Sequence, residues 1–213
     1  AKGNGRTNDQ EAFIKASAFF NKRKGNGKLI IPKGIYIVGR QQFTGNKSNS
    51  DKAYKGEYAL DLRGCVNMII EGKVGAVIKN ADSLRIGTFY PETGKPFKHK
   101  MKDINIDPAY TKYASSAGIV IYVSQSSNIS ITGLALDGNM NSFIFGGNWG
   151  SGRNAYELIH YGIYIIDSHD ITMNNCIVKN FACDGIYIAN LGKEIKTFNV
   201  NINKVKVNYC GRN

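Results

Sequence analysis

Apolar and polar positions alternate with a period of two through the second half of the chain, and three stretches superimpose residue for residue. Asn128–Asp137 (NISITGLALD), Asp170–Lys179 (DITMNNCIVK) and Asn199–Asn208 (NVNINKVKVN) each hold two short alternating strands broken by a polar turn. The alternation predicts inward columns Ile129/Ile171/Val200, Ile131/Met173/Ile202, Leu134/Cys176/Val205 and Leu136/Val178/Val207. A third strand precedes the later units as Gly162-Ile-Tyr-Ile-Ile and Gly185-Ile-Tyr-Ile, and Gly118-Ile-Val-Ile-Tyr-Val precedes the first. Self-similarity at this spacing marks a solenoid. Three short strands per turn predict an all-β chain wound as a parallel β-helix. Its interior is filled by stacked aliphatic side chains, so function belongs on an outer strand face. Thr132, Asn174 and Asn203 fall in the turn between the aligned strands, where stacked amides can satisfy backbone groups.

The N-terminal forty residues predict a different layer. Ala12, Phe13, Ala16, Phe19 and Phe20 recur at helical spacing over Gln10–Lys22, and Asn8 with Glu11 fits a reciprocal helix cap. Lys28–Val38 follows as two strands around Pro32-Lys33-Gly34. An amphipathic helix in this place can cover the apolar cross-section and open edges that a β-helix leaves at its end. A Gly-x-Gly-x-Thr start (Gly3, Gly5, Thr7), a capping helix, a Pro-x-Gly-x-Tyr turn and repeating coils together resemble the pectate lyase-like superfamily of right-handed parallel β-helix proteins. The resemblance implies a right-handed, single-stranded β-helix with an N-terminal capping α-helix. It also implies carbohydrate-active chemistry, with glycoside hydrolases, polysaccharide lyases, uronate epimerases and phage tailspikes among the superfamily's members. The reaction is not specified by it. Cys183-Asp184-Gly185 echoes only a fragment of the polygalacturonase motifs, and Tyr161-Gly162 continues as Ile-Tyr-Ile rather than as the alginate epimerase signature.

The 213 residues read as one domain, with the cap and first strands in 1–40 and coils in 60–213. The chain stops where another strand is due. This predicts that it is the N-terminal portion of a longer β-helix, its end covered by further coils or another chain. Net charge is +12, concentrated in residues 1–113, which carry 21 Lys and Arg against 10 Asp and Glu, while residues 114–213 carry 7 against 6. No nucleic-acid module accompanies the charge, so a solvated basic surface or an acidic polysaccharide is expected rather than nucleic acid. No apolar run approaches membrane-span length. The four cysteines fit no metal-ligand spacing, and Cys176 lies in an inward column.

Parity places Tyr164 and Tyr187 outward on successive coils, an aromatic ladder suited to the C–H faces of sugar rings. Tyr161 and Asp184 stand at the lip of the same face. Gly138–His160 is an excursion that carries Trp149, Phe143, Phe145, Arg153 and Glu157, and excursions from rigid scaffolds commonly bear binding groups. Trp149 can stack on a sugar and Arg153 can grip a carboxylate. Hydrolysis needs two facing carboxyls, for which Asp184 with Glu157 or Asp167 is the candidate set. Lyase or epimerase chemistry needs a base and a cation beside the uronate, for which His160, Tyr161, Lys179 and Arg153 are available. Calcium is expected only in the lyase case, and no other cofactor is implied. The leading expectation is polysaccharide cleavage, outside the cell or in the envelope, with the signal segment outside this chain. The alternative is a non-catalytic glycan-binding or structural module.

Overall fold

The structure, a computed structural model, describes residues 1–45, 52–97, 112–147, 159–192 and 196–211. The alternating segments form three parallel sheets. Sheet one contains Asn4–Asn8 (β1), Gly34–Val38 (β3), Ala76–Asn80 (β8), Ala135–Asp137 (β13), Ile177–Lys179 (β17) and Lys206–Asn208 (β20). Sheet two contains Gly25–Ile31 (β2), Val66–Gly72 (β7), Ser127–Thr132 (β12), His169–Asn174 (β16) and Phe198–Asn203 (β19). Sheet three contains Leu60–Arg63 (β6), Gly118–Ser124 (β11), His160–Ile166 (β15) and Ile186–Ala189 (β18). Along the chain each coil visits sheet three, then two, then one: β6–β7–β8, β11–β12–β13, β15–β16–β17 and β18–β19–β20. This is a right-handed parallel β-helix.

The expected columns are in register. Ile129 pairs with Ile171 and Ile171 with Val200; Leu136 pairs with Val178 and Val178 with Val207. Ile70, Ile78, Ile121, Ile131, Ile163, Ile165 and Ile171 are fully buried in one continuous core. Each such side chain contributes about 1.5–3 kcal/mol by leaving water, so the stack is the main source of stability.

Polar ladders hold the corners. At the corner between sheets three and two, the backbone N–H of Cys65 donates to Ser126 Oγ (3.0 Å), that of Ser126 to Ser168 Oγ (3.1 Å) and that of Ser168 to Thr197 Oγ1 (3.2 Å). Each hydroxyl passes its own proton to a carbonyl of its own coil, on Ser124, Ile166 and Ala189. One step further lie Asn67, Asn128, Asp170 and Asn199, all in the left-handed backbone region that Asn and Asp tolerate. Their side chains bond from coil to coil, Asn128 Nδ2 to Asn67 Oδ1 at 2.7 Å and Asn199 Nδ2 to Asp170 Oδ1. The amide ladder is therefore at the start of the sheet-two strands. Thr132, Asn174 and Asn203 are aligned at the other end of those strands.

Helix α1 spans Gln10–Lys22 and buries Phe13 and Phe20 in the main core. The expected reciprocal cap does not form. Asp9 is the capping residue, and its carboxylate instead accepts from the N–H groups of Lys2 (2.6 Å) and Gly3 (2.9 Å), while Glu11 pairs with Arg40. Since α1 leads directly into β2 and β3, it takes the place that a sheet-three strand holds in every later coil.

A fourth sheet was not expected. Gln41–Phe43 (β4), Tyr54–Gly56 (β5), Arg85–Thr88 (β9), Ala114–Ser115 (β10) and Ile144–Gly146 (β14) all lie in the excursions between sheets one and three. They pair beside the β-helix, with small cores of their own around Leu84, Ile86 and Phe143 and around Tyr54 and Phe89.

Candidate functional site

The outer face of sheet three carries the tyrosines. Tyr122, Tyr164 and Tyr187 occupy one register column on β11, β15 and β18. Ring centroids are 5.5 Å apart for Tyr122 and Tyr164 and 4.8 Å apart for Tyr164 and Tyr187, both edge to face. Tyr58, just before β6, extends the row at 5.1 Å from Tyr122, and Tyr161 stacks on Tyr187 at 5.5 Å. Tyr161 is buried with Ile119 and Cys183 in a small outer cluster, against which Tyr58, Tyr122, Tyr164 and Tyr187 pack. Tyr161, Tyr164 and Tyr187 are thus brought together as expected. Tyr58 and Tyr122 complete a row across four coils.

Tyr122 was missed because the sequence repeat aligned Gly118 with Gly162. The structure pairs Gly118 with His160, two residues earlier. The shared Ile-Tyr-Val/Ile triplets at Ile121, Ile163 and Ile186 carry the true register. Burial first, then the neighbouring Tyr187, Tyr122 and Tyr58, pushes the Tyr164 hydroxyl up to about 12.

The row leads into a cavity of about 780 Å³ between α1 and the β4–β5 hairpin. Ile14, Ala18 and Asn21 of the helix line one side, Gln42, Lys52 and Lys55 the other, and Tyr58, Asp61 and Arg63 the floor. In the tyrosine column the partner of Tyr122 on β6 is Asp61. Arg63 Nε bonds Asp61 Oδ1 at 2.8 Å, and the guanidinium lies 5.0 Å from the Tyr122 ring centroid. Glu57, also lining the cavity, is paired with Arg40 at 3.1 Å. Burial, and then the charge of Lys55, lower the pKa of Lys52 below its ordinary value.

Of the expected catalytic groups, the three that are described, Asp167, Asp184 and His160, are not brought together. Asp167 is 2% exposed, and its Oδ1 accepts from Leu191 N at 2.8 Å, so it fixes the turn after β15. Ile166 pairs with Ala189 and Ile163 with Ile186, so Asp167 lies about six residues, roughly 20 Å, along the strands from Asp184. That separation is too great for a carboxyl pair acting on one glycosidic bond. Asp184 is 6% exposed, with Oδ2 3.8 Å from Cys183 Sγ. His160 is fully buried: Ala182 N donates to Nδ1 (2.9 Å) and Nε2 donates to Asn80 Oδ1 (3.2 Å). Burial lowers its pKa to about 3, which keeps it neutral. With both nitrogens engaged away from solvent, it joins the end of β8 to the start of β15. Trp149, Arg153 and Glu157 lie outside the described residues.

None of the four cysteines is in a disulfide. Among the described residues no three His, Cys, Asp or Glu side chains gather as a metal site. The two described carboxylates that line the cavity, Glu57 and Asp61, are each held by an arginine. No helix among the described residues is long and apolar enough to cross a membrane.

No family model matches the chain, and no curated protein matches it. Among solved structures it is similar to the A-module of Azotobacter vinelandii mannuronan C-5 epimerase AlgE6, at 16% identity and a TM-score of 0.39, over 99% of this chain and 53% of that one. The AlgE4 A-module of the same organism matches at 14% identity and a TM-score of 0.40, over 100% and 56%. A Parabacteroides merdae protein described as a glycosyl hydrolase matches at 13% identity and a TM-score of 0.37, over 97% and 91%. The chain spans about half the length of the epimerase modules.

Proposed function

We propose that the protein is carbohydrate-active and binds an extended polysaccharide along the tyrosine face of sheet three. The observation that carries this reading is the row Tyr58, Tyr122, Tyr164 and Tyr187, one ring per coil on an outer face, running into a groove. Tyrosine offers an apolar ring to sugar C–H groups and a hydroxyl to sugar oxygens. The strands beneath are rigid, so the rings need little ordering when a glycan arrives. A site of this kind meets its ligand outside the cell or in the envelope.

Bond cleavage is the second reading, and Lys52 favours it. A lysine with a lowered pKa beside a groove is a candidate base for abstracting a proton from a sugar. Hydrolysis through Asp184 and Glu157 belongs to the same reading and draws on the sequence alone.

Incubation with a polysaccharide panel separates the readings. Retention of the protein on at least one glycan supports binding. New reducing ends, or ultraviolet absorbance from unsaturated uronates, add cleavage by hydrolysis or by elimination. Retention by none of the panel overturns the proposal.

A further inference from the structure

We propose that the groove is closed at the α1 end and seats the terminus of a glycan chain whose last sugar is anionic, the anion meeting Lys52 and Lys55. This inference rests on the glycan reading above.

The closure follows from the coil order. Each later coil contributes a strand to sheet three, but in the first coil α1 stands there instead. It occupies the free edge of β6: Asp61 N donates to Ser17 Oγ (2.9 Å), Asn21 Nδ2 donates to Asp61 O (2.8 Å), and Arg63 N donates to Asn21 Oδ1 (2.9 Å). An α-helix is about 10–12 Å across with its side chains, whereas neighbouring strands are only about 5 Å apart. Helix α1 therefore stands above the plane of the tyrosines, and Ile14 and Ala18 form a wall across their line. The β4–β5 hairpin, with Gln42, Lys52 and Lys55, bounds a second side. A chain lying on Tyr187, Tyr164 and Tyr122 meets that wall after Tyr58.

The floor changes character at the same point. The register column that is tyrosine on three coils becomes Asp61 on β6, held by Arg63. Lys52, Lys55 and Arg63 line the cavity together with Glu57 and Asp61, but Glu57 is already paired with Arg40, which leaves the lysines in excess. Lys52 and Lys55 repel one another. An incoming carboxylate or sulfate relieves that repulsion and gains charge-assisted hydrogen bonds.

Binding of polygalacturonate, its short oligomers, carboxyl-reduced polygalacturonate and dextran sulfate tests the assignment. For a terminal site, protein bound per gram of polygalacturonate rises with the number of chain ends as the polymer is shortened. Carboxyl reduction weakens binding about tenfold or more, and Lys55→Gln does the same toward the acidic oligomers. Stronger binding of dextran sulfate than of polygalacturonate makes the anion a sulfate; the reverse makes it a carboxylate. Binding that follows polymer mass rather than end number, or that survives carboxyl reduction with sulfate also ignored, overturns the inference. A Tyr187→Ala control separates the two failures. If it weakens binding while end number has no effect, only the terminal site is wrong; if it changes nothing, the tyrosine reading fails as well.

Discussion

Tyr164 and Tyr187 sit opposite one another on neighbouring strands, with ring centroids 4.8 Å apart and ring planes at 84°. The two rings meet edge to face, an arrangement that the ring quadrupole favours. Burial and the neighbouring phenols hold the Tyr164 proton to about 12. The folded pKa is raised above the unfolded value near 10, so this group's stabilisation is complete below about pH 10 and is lost as pH rises through about 12. Ultraviolet titration should show a late-ionising tyrosine that disappears in Tyr164→Phe. A Tyr164→Phe variant that instead loses a tyrosine titrating near pH 10 would contradict the packing described for this row.

His160 gives the opposite pH dependence. Its folded pKa, lowered to about 3, lies well below the ordinary 6.5. Below about pH 6.5 the unfolded chain takes up a proton that the folded chain refuses, so stability falls as pH drops from 6.5 toward 3. One pKa unit corresponds to about 1.4 kcal/mol, so the loss approaches roughly 4–5 kcal/mol at the acid end. His160→Gln should be less stable at pH 7, since it loses ring packing against Phe143 and Phe181, yet its stability should change less with acid. Urea melts at several pH values measure this, and parallel pH profiles would rule out a buried neutral imidazole.

The amide ladder sets a third expectation. Asn67 is left-handed at φ 55° and accepts from Asn128 Nδ2. Asn67→Ala should cost about 1–2 kcal/mol, from backbone strain and a lost inter-coil bond. Asn67→Gly removes the strain and should retain about 0.5–1 kcal/mol of that. Thermal denaturation of the two variants checks the order, and an alanine variant as stable as the glycine variant would refute the strain argument.

The parallel coils were legible because stacked Ile129, Ile171 and Val200 repeat the same burial on every turn, and burial is what a period of two records. The side sheet was not legible. Its strands run two to four residues, as in Ala114–Ser115 and Gln41–Phe43, too short for alternation to emerge. The tyrosine row was half legible, since Gly118 was aligned by residue type rather than by register. A glycine there answers a local need: a Cβ on Gly118 would lie 2.2 Å from the carbonyl oxygen of Glu57. His160 and Asp167 read as chemistry because sequence shows their functional groups, whereas only the fold shows that both are buried and bonded.

The tyrosine face is tested most directly by calorimetric titration of wild type and a Tyr122→Ala/Tyr187→Ala variant against the polysaccharide panel. With circular dichroism unchanged, wild type should bind at least one glycan and the double variant should bind it about 2–4 kcal/mol more weakly, at about 1–2 kcal/mol for each ring. Equal affinity in the two proteins would contradict the account.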